Sequence, residues 1–158
     1  MGKEIERKFL INDYSYRSLA SGILFRQGYI STDPKRVVRI RIIGNSGFLT
    51  LKGLSKGAVR SEFEYEIPLS DALELMSQMC IGPIIEKFRY TLEYEGMTWE
   101  VDEFSGDNEG LNVAEIELES EDQEFALPPW AGLEVTNDPR YYNANLVNTP
   151  YKTWGHKR

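Results

Sequence analysis

Apolar and polar residues alternate with period two along most of the chain, the signature of strands whose two faces meet different surroundings. Lys3 to Ile11 puts Glu4, Glu6 and Lys8 on one face and Ile5, Arg7 and Phe9 on the other. Leu24 to Ser31 is a weaker strand carrying Arg26 and Tyr29. Arg36 to Ile43 sets Arg39 and Arg41 opposite Val38, Ile40 and Ile42, and the turn Gly44-Asn45-Ser46-Gly47 reverses the chain into Phe48 to Gly53, where Thr50 and Lys52 oppose Leu49 and Leu51. A second turn at Ser55-Lys56-Gly57 leads to Arg60 to Ile67, with Arg60, Glu62, Glu64 and Glu66 opposite Phe63 and Tyr65. Pro68 stops that strand, and Ser70-Asp71 offers an N-cap to a helix with the apolar stripe Leu73, Leu75, Met76 and Met79.

Beyond Gly82-Pro83 the alternation resumes. Ile84 to Tyr94 places Ile85, Lys87, Arg89 and Thr91 on one face, and Met97 to Phe104 pairs Glu100 with Asp102 opposite Trp99 and Val101. Asn112 to Glu119 sets Glu115 and Glu117 opposite Ala114, Ile116 and Leu118. The remainder is less regular: an acidic stretch from Glu119 to Glu124, a short segment Gly132 to Thr136, and a helix expected from Asp138-Pro139 through Val147. No repeat or linker interrupts the 158 residues, which fit one domain spanning 1–158.

Charge sharpens this picture. The net charge of −7 argues against coating nucleic acid or an anionic membrane, but it is unevenly spread: residues 1–79 hold 12 bases and 9 acids, residues 80–158 hold 6 bases and 16 acids. The single cysteine, Cys80, and a charged N-terminus point to a soluble protein of a reducing, cytoplasmic compartment. One cysteine and one histidine, His156 in the tail, exclude structural zinc and Cys-His or Ser-His-Asp chemistry, so a metal would be a hard ion held by oxygen, such as Mg²⁺ or Mn²⁺.

The polar faces are sorted by sign. Acids come as pairs on four strands (Glu4/Glu6, Glu62/Glu64, Glu100/Asp102, Glu115/Glu117), and bases as pairs on two (Arg39/Arg41, Lys87/Arg89), joined by Lys8 and Lys52. Seven or eight antiparallel strands with apolar outer faces, covered by two or more helices, predict a mainly β, α+β domain: a closed antiparallel barrel with its charge inside. Such a lumen cannot be dry, because an unpaired buried charge costs several kcal/mol. Six converging cations suit a chain of phosphates with about four or five negative charges, bridged to the carboxylates by a divalent ion. The residues alone leave two readings open: metal-dependent cleavage of a triphosphate, and a salt-bridged barrel without activity.

The opening Glu4-Ile5-Glu6-Arg7-Lys8 resembles the E-x-E-x-K signature of the CYTH superfamily, also called triphosphate tunnel metalloenzymes. Its company makes the likeness specific: Arg26-Gln-Gly-Tyr29, Val38-Arg-Ile-Arg41, Leu49-Thr-Leu-Lys-Gly53, Arg60-Ser-Glu-Phe-Glu64, Ile85-Glu-Lys-Phe-Arg-Tyr90, Trp99-Glu-Val-Asp102, Ala114-Glu-Ile-Glu-Leu118, and Glu134-Val-Thr136 with Asp138, Arg140, Tyr141 and Asn143. The chain is similar to the compact bacterial inorganic tripolyphosphatases. The resemblance implies an eight-stranded tunnel with flanking helices that cleaves a linear triphosphate with Mg²⁺ or Mn²⁺. Glu4, Glu6, Glu115 and Glu117 would bind the metal, with Asp102 in support. Lys8, Arg39, Arg41, Lys52, Arg60, Lys87 and Arg89 would clamp phosphate. Glu62 and Glu64 would order a second metal or the attacking water, Lys8 and Lys87 would share in catalysis, and Tyr29 would position Lys8.

Relatives of this kind also include nucleoside and thiamine triphosphatases and class IV adenylyl cyclases, and dimers are common among them. A polyphosphate-binding module without turnover would need the bases but not the full acid set. No nucleic-acid or membrane partner is expected. Trp99, Trp130 and Trp154 read as packing residues, and the Glu119 to Glu124 stretch as a solvated loop.

Overall fold

The computed structural model describes residues 2–155; His156, read above as a tail residue, lies outside the described residues. Eight antiparallel strands close on themselves: β1 (Lys3–Ile11), β2 (Ile23–Ser31), β3 (Val37–Ile43), β4 (Ser46–Lys52), β5 (Val59–Ile67), β6 (Ile81–Tyr94), β7 (Met97–Phe104) and β8 (Asn112–Glu117). Around the barrel they run β1-β5-β4-β3-β2-β6-β7-β8 and back to β1. A ninth strand, β9 (Ala131–Glu134), pairs with the far end of β1 at Phe9 and Ile11, while β5 pairs with its near end at Lys3 to Ile5. Closure removes the exposed edges that an open sheet of this length would carry.

The turns follow from local chemistry. Glu95 and Gly96 both have positive φ, 50° and 79°, the requirement of a two-residue turn matched to strand twist, and β6 and β7 pair right up to it at Tyr94 and Met97. Between β3 and β4 the strands extend to Ile43 and Ser46, so the reversal is tighter than the four-residue turn expected and is made by Gly44 and Asn45 alone.

Outward-facing apolar residues build two of the three cores. Ile5, Phe9, Leu92, Trp99, Val101, Ala114 and Ile116 pack beneath Tyr16 and Trp130, so Trp99, although on the outside of the barrel, is fully buried. Its ring lies edge-on to Trp130 at 5.7 Å and to Phe125 at 5.8 Å, and Phe125 follows directly on the acidic stretch. On the other side, Ile40 and Ile42 pack under α1 (Leu69–Gln78) through Ala72 and Met76. A β-carbon on Gly47 would lie 2.6 Å from that of Ala72, so this close seat of helix on sheet requires glycine.

Two helix expectations differ. The N-cap of α1 is Pro68, with no side-chain cap from Ser70 or Asp71. Where two or more flanking helices were expected, the described residues hold one α-helix and short 3-10 turns, and residues 138–147 form two of those turns, Pro139–Tyr141 and Asn143–Leu146, not one helix. The break is at Tyr142, whose φ and ψ of −70° and 127° are extended. The third core explains why a compact irregular segment serves there. Tyr141, Ala144, Leu146 and Val147 fill the barrel end where β7 finishes and β6 and β8 begin, against Ile85, Phe104 and Val113. No helix among the described residues is long and apolar enough to cross a membrane.

Candidate active site

The inward faces of the eight strands enclose a cavity of about 350 Å³. It is lined from β1 by Glu4, Glu6 and Lys8, from β3 by Arg39 and Arg41, from β4 by Lys52, and from β5 by Arg60, Glu62 and Glu64. Lys87 and Arg89 enter from β6, Glu100 from β7, Glu115 and Glu117 from β8, and Tyr29 from β2. Period-two alternation accounts for this convergence, since a residue two positions on returns to the same face. Asp102, expected beside the metal, does not line the cavity. It sits behind the wall, 1% exposed, where Arg89 donates to both its oxygens at 2.7 and 2.9 Å and Lys87 Nζ approaches at 2.6 Å.

Register decides which charges pair. Lys8 lies opposite Glu115 and donates to it over 2.6 Å, with Glu6 at 3.6 Å. Lys52 reaches Glu4 at 3.3 Å and Glu62 at 3.6 Å. Arg39 donates to Thr50 Oγ1 at 3.2 Å and Glu64 at 3.4 Å. Tyr29 OH accepts from Gln27 Nε2 at 2.9 Å, while the ion pairs of Lys8 run to Glu115 and Glu6.

Two cations have no carboxylate within ion-pair range among the described residues. Arg60 donates to the Gly53 carbonyl at 2.6 Å, and Arg41, 8% exposed, donates through Nε to Gln27 Oε1 at 3.0 Å. Burial, reinforced by Arg39 and Arg89, pulls the Arg41 guanidinium down to about 9. Arg39 Nε is buried with no partner. The rings and guanidinium groups are layered here: Arg41 and Arg89 lie 5.0 and 4.7 Å from the centre of the Phe25 ring.

The carboxylates divide into two groups. Asp102, despite its burial, is held at about 2 by Arg89 and Lys87, and Glu115 is held well below the ordinary carboxylate range by Lys8, Arg89 and Lys87. Burial raises Glu6, with Glu115 and Glu4 adding to it, and burial likewise raises Glu117, helped by Glu4 and Glu62. Glu6 and Glu117 face each other across β1 and β8, and burial and the surrounding carboxylates outweigh Lys8 and Lys52 there. An all-oxygen set of this kind fits a hard divalent cation. No three carboxylates among the described residues form a ready metal cage.

Some residues of the site were given no role in the sequence. Phe25 lines the cavity from the same face as Tyr29 and was passed over as uncharged. Thr50 and Gln27 sit buried behind the lining, where they bond Arg39 and Arg41, and a neutral side chain does not stand out among arginines. Tyr142 and Asn143 come from the irregular C-terminal segment, where no periodicity points inward.

A closed antiparallel barrel whose interior gathers cations, some unmatched, beside a set of carboxylates defines the triphosphate tunnel class. The chain belongs to the CYTH domain family, whose pattern matches residues 2–151. It is 54% identical over 154 residues to the inorganic triphosphatase of Acetivibrio thermocellus, covering 98% of this chain and 99% of that one. Over 148 residues it is 38% identical to the inorganic triphosphatase of Nitrosomonas europaea, covering 91% and 96%. The crystal structure of the inorganic triphosphatase NE1496 superposes with a TM-score of 0.62 at 36% identity, covering 90% of this chain and 96% of that one. Membership of this metalloenzyme family implies a divalent metal ion.

Proposed function

We propose that this protein hydrolyses inorganic triphosphate to pyrophosphate and orthophosphate with Mg²⁺ or Mn²⁺. The observation that carries the reading is Arg41: a buried guanidinium with no carboxylate beside it, next to an Arg39 Nε with no partner. A buried, uncompensated cation is costly unless an anion completes it. The 54% identical relative named for inorganic triphosphate supports the choice of anion.

Lys8, Arg39, Arg41, Lys52, Arg60, Lys87 and Arg89 hold the phosphate chain and stabilise charge on its oxygens as the bridging P–O bond breaks. Glu6 and Glu117 are the carboxylates best placed to hold the metal. Glu4 and Glu115 contribute to the same set while shared with Lys52 and Lys8. Asp102 acts from behind, fixing Lys87 and Arg89. The bound ion supplies charge neutralisation and lowers the pKa of water. Glu62 and Glu64 order the attacking water, whose oxygen bonds to the terminal phosphorus while its proton passes to a carboxylate and pyrophosphate leaves.

The test is a phosphate-release panel of tripolyphosphate, pyrophosphate, long-chain polyphosphate, ATP and thiamine triphosphate, each with Mg²⁺ and with Mn²⁺. Tripolyphosphate is the expected preferred substrate, with release abolished in Glu6→Ala and Glu117→Ala. No release from tripolyphosphate with either metal, or full activity in either variant, overturns the reading.

A further inference from the structure

One side-chain amide lines the cavity and a second is buried behind it, and the mechanism above uses neither. Asn143 stands on the 3-10 turn Asn143–Leu146 and Gln27 on β2. Asn143 Oδ1 accepts from Lys87 Nζ at 2.7 Å and from Gln27 Nε2 at 3.0 Å, while Gln27 Oε1 accepts from Arg41 Nε at 3.0 Å. Arg41 can only donate, so Gln27 is fixed with its oxygen toward the guanidinium, and its NH₂ in turn meets Asn143 Oδ1, the oxygen that accepts from Lys87. Gln27 has no exposed surface, and its NH₂ places its second bond on Tyr29 OH at 2.9 Å.

We infer that Asn143 is a positioning residue for Lys87, so that the C-terminal segment is a working wall of the active site as well as a cap on the barrel. This inference rests on the proposed triphosphate reading. Two features carry it beyond packing. The first is chemical: a neutral acceptor orients a cation without cancelling its charge, whereas a carboxylate at the same point would compete with phosphate for it. Lys87 already shares Asp102 with Arg89, and Arg41 has no carboxylate within ion-pair range among the described residues. The second is mechanical. The residues that follow Asn143, namely Ala144, Leu146 and Val147, are buried in the core that closes the barrel, so the amide is delivered from an anchored element. Gly82, at φ 66° beneath the Val147 side chain, keeps that seat open.

The experiment compares Asn143→Leu, Lys87→Met and the double variant with wild type, reading kcat/KM for tripolyphosphate with Mg²⁺, the Kd of metal-free tripolyphosphate by calorimetry, and Tm. A small displacement of a clamp cation costs on the order of ten- to a hundredfold in rate, so Asn143→Leu is expected to lose that much in kcat/KM at a Tm close to wild type. Because Asn143 acts through Lys87, adding Asn143→Leu to Lys87→Met is expected to cost less than about threefold more. Losses that multiply in the double variant, or wild-type kcat/KM in Asn143→Leu, overturn the inference. Should Asn143→Leu not fold, Asn143→Ser, too short to reach Lys87, is held to the same two criteria. If wild type releases no phosphate, the functional reading fails by itself, and the positioning role is decided on Kd: a loss in Asn143→Leu that vanishes in the Lys87→Met background sustains it, and one that persists there overturns it.

Discussion

Arg89 and Asp102 face each other at paired positions of β6 and β7, and Arg89 donates two hydrogen bonds to the aspartate, which is sealed from the cavity. Asp102 therefore acts as a counter-ion for Arg89 and Lys87 rather than as a lining group. Removing one partner of a buried ion pair strands the others, at a cost of about 3–5 kcal/mol. Asp102→Ala is expected to lose that much at pH 7 in urea denaturation. The Asp102 carboxyl is held at about 2, below its ordinary 3.8, so its contribution is complete above about pH 4 and is lost as pH falls toward 2. The difference between wild type and Asp102→Ala should shrink over that window.

Glu6 makes the opposite case. Burial, Glu115 and Glu4 raise its carboxyl, so the folded metal-free protein binds its proton more tightly than the unfolded chain does. The stability this gives is complete below the ordinary carboxylate pKa and disappears as pH rises through the raised value. Glu6→Gln, permanently neutral, is expected to raise the Tm of the metal-free protein at pH 8, to change it little at pH 4, and to lose metal-dependent turnover. A Tm gain that is equal at both pH values contradicts the assigned cause.

These two carboxylates show what was legible in the sequence and what was not. Their faces were legible, because alternation and the pairing of acids with acids and bases with bases are properties of a single strand. Their opposite electrostatic states were not. Those depend on register and on what surrounds each group: the β6–β7 hairpin sets Asp102 opposite Arg89, whereas β1 and β8, far apart in sequence, set Glu6 opposite Glu117. Local turns and breaks gave seven or eight strands and the family resemblance gave eight, whereas the C-terminal segment misled because Asp138-Pro139 is a sound helix opening whose continuation fails at Tyr142. Asn143 was hidden by the same break: read on a helix, it had no reason to face the tunnel.

Arg41 gives a prediction free of catalysis. With no carboxylate partner, it is expected to be one of the main beneficiaries of a bound polyanion. Tripolyphosphate at 100 times its Kd stabilises the folded state by about 2.7 kcal/mol, which for a domain of this size raises Tm by roughly 5–10 °C. Arg41→Met is expected to lose most of that shift at the same ligand concentration. Its own Tm without ligand should be at or above wild type, since a buried unpaired cation has been replaced by a side chain of similar reach. A lower Tm without ligand together with an undiminished shift would assign Arg41 to structure alone.

Lys87 allows the bound anion to be detected through protons. Burial is the main cause of its low pKa, and with Arg89 and Arg41 nearby it outweighs the attraction of Asp102 and leaves the ammonium at about 7. At pH 8 the metal-free protein therefore holds Lys87 largely neutral. A phosphate chain settling beside it favours the charged form and drives a proton back on. Polyphosphate releases protons of its own on binding cations, so the informative quantity is a difference. Calorimetry of tripolyphosphate binding in two buffers of different ionisation enthalpy should show wild type taking up more protons than Lys87→Met, by up to about one at pH 8. Below pH 6, where Lys87 is already charged, the two proteins should agree. Equal proton uptake at pH 8 would mean that phosphate does not reach the amine, and Lys87 would then belong with Asp102 in the buried support of Arg89.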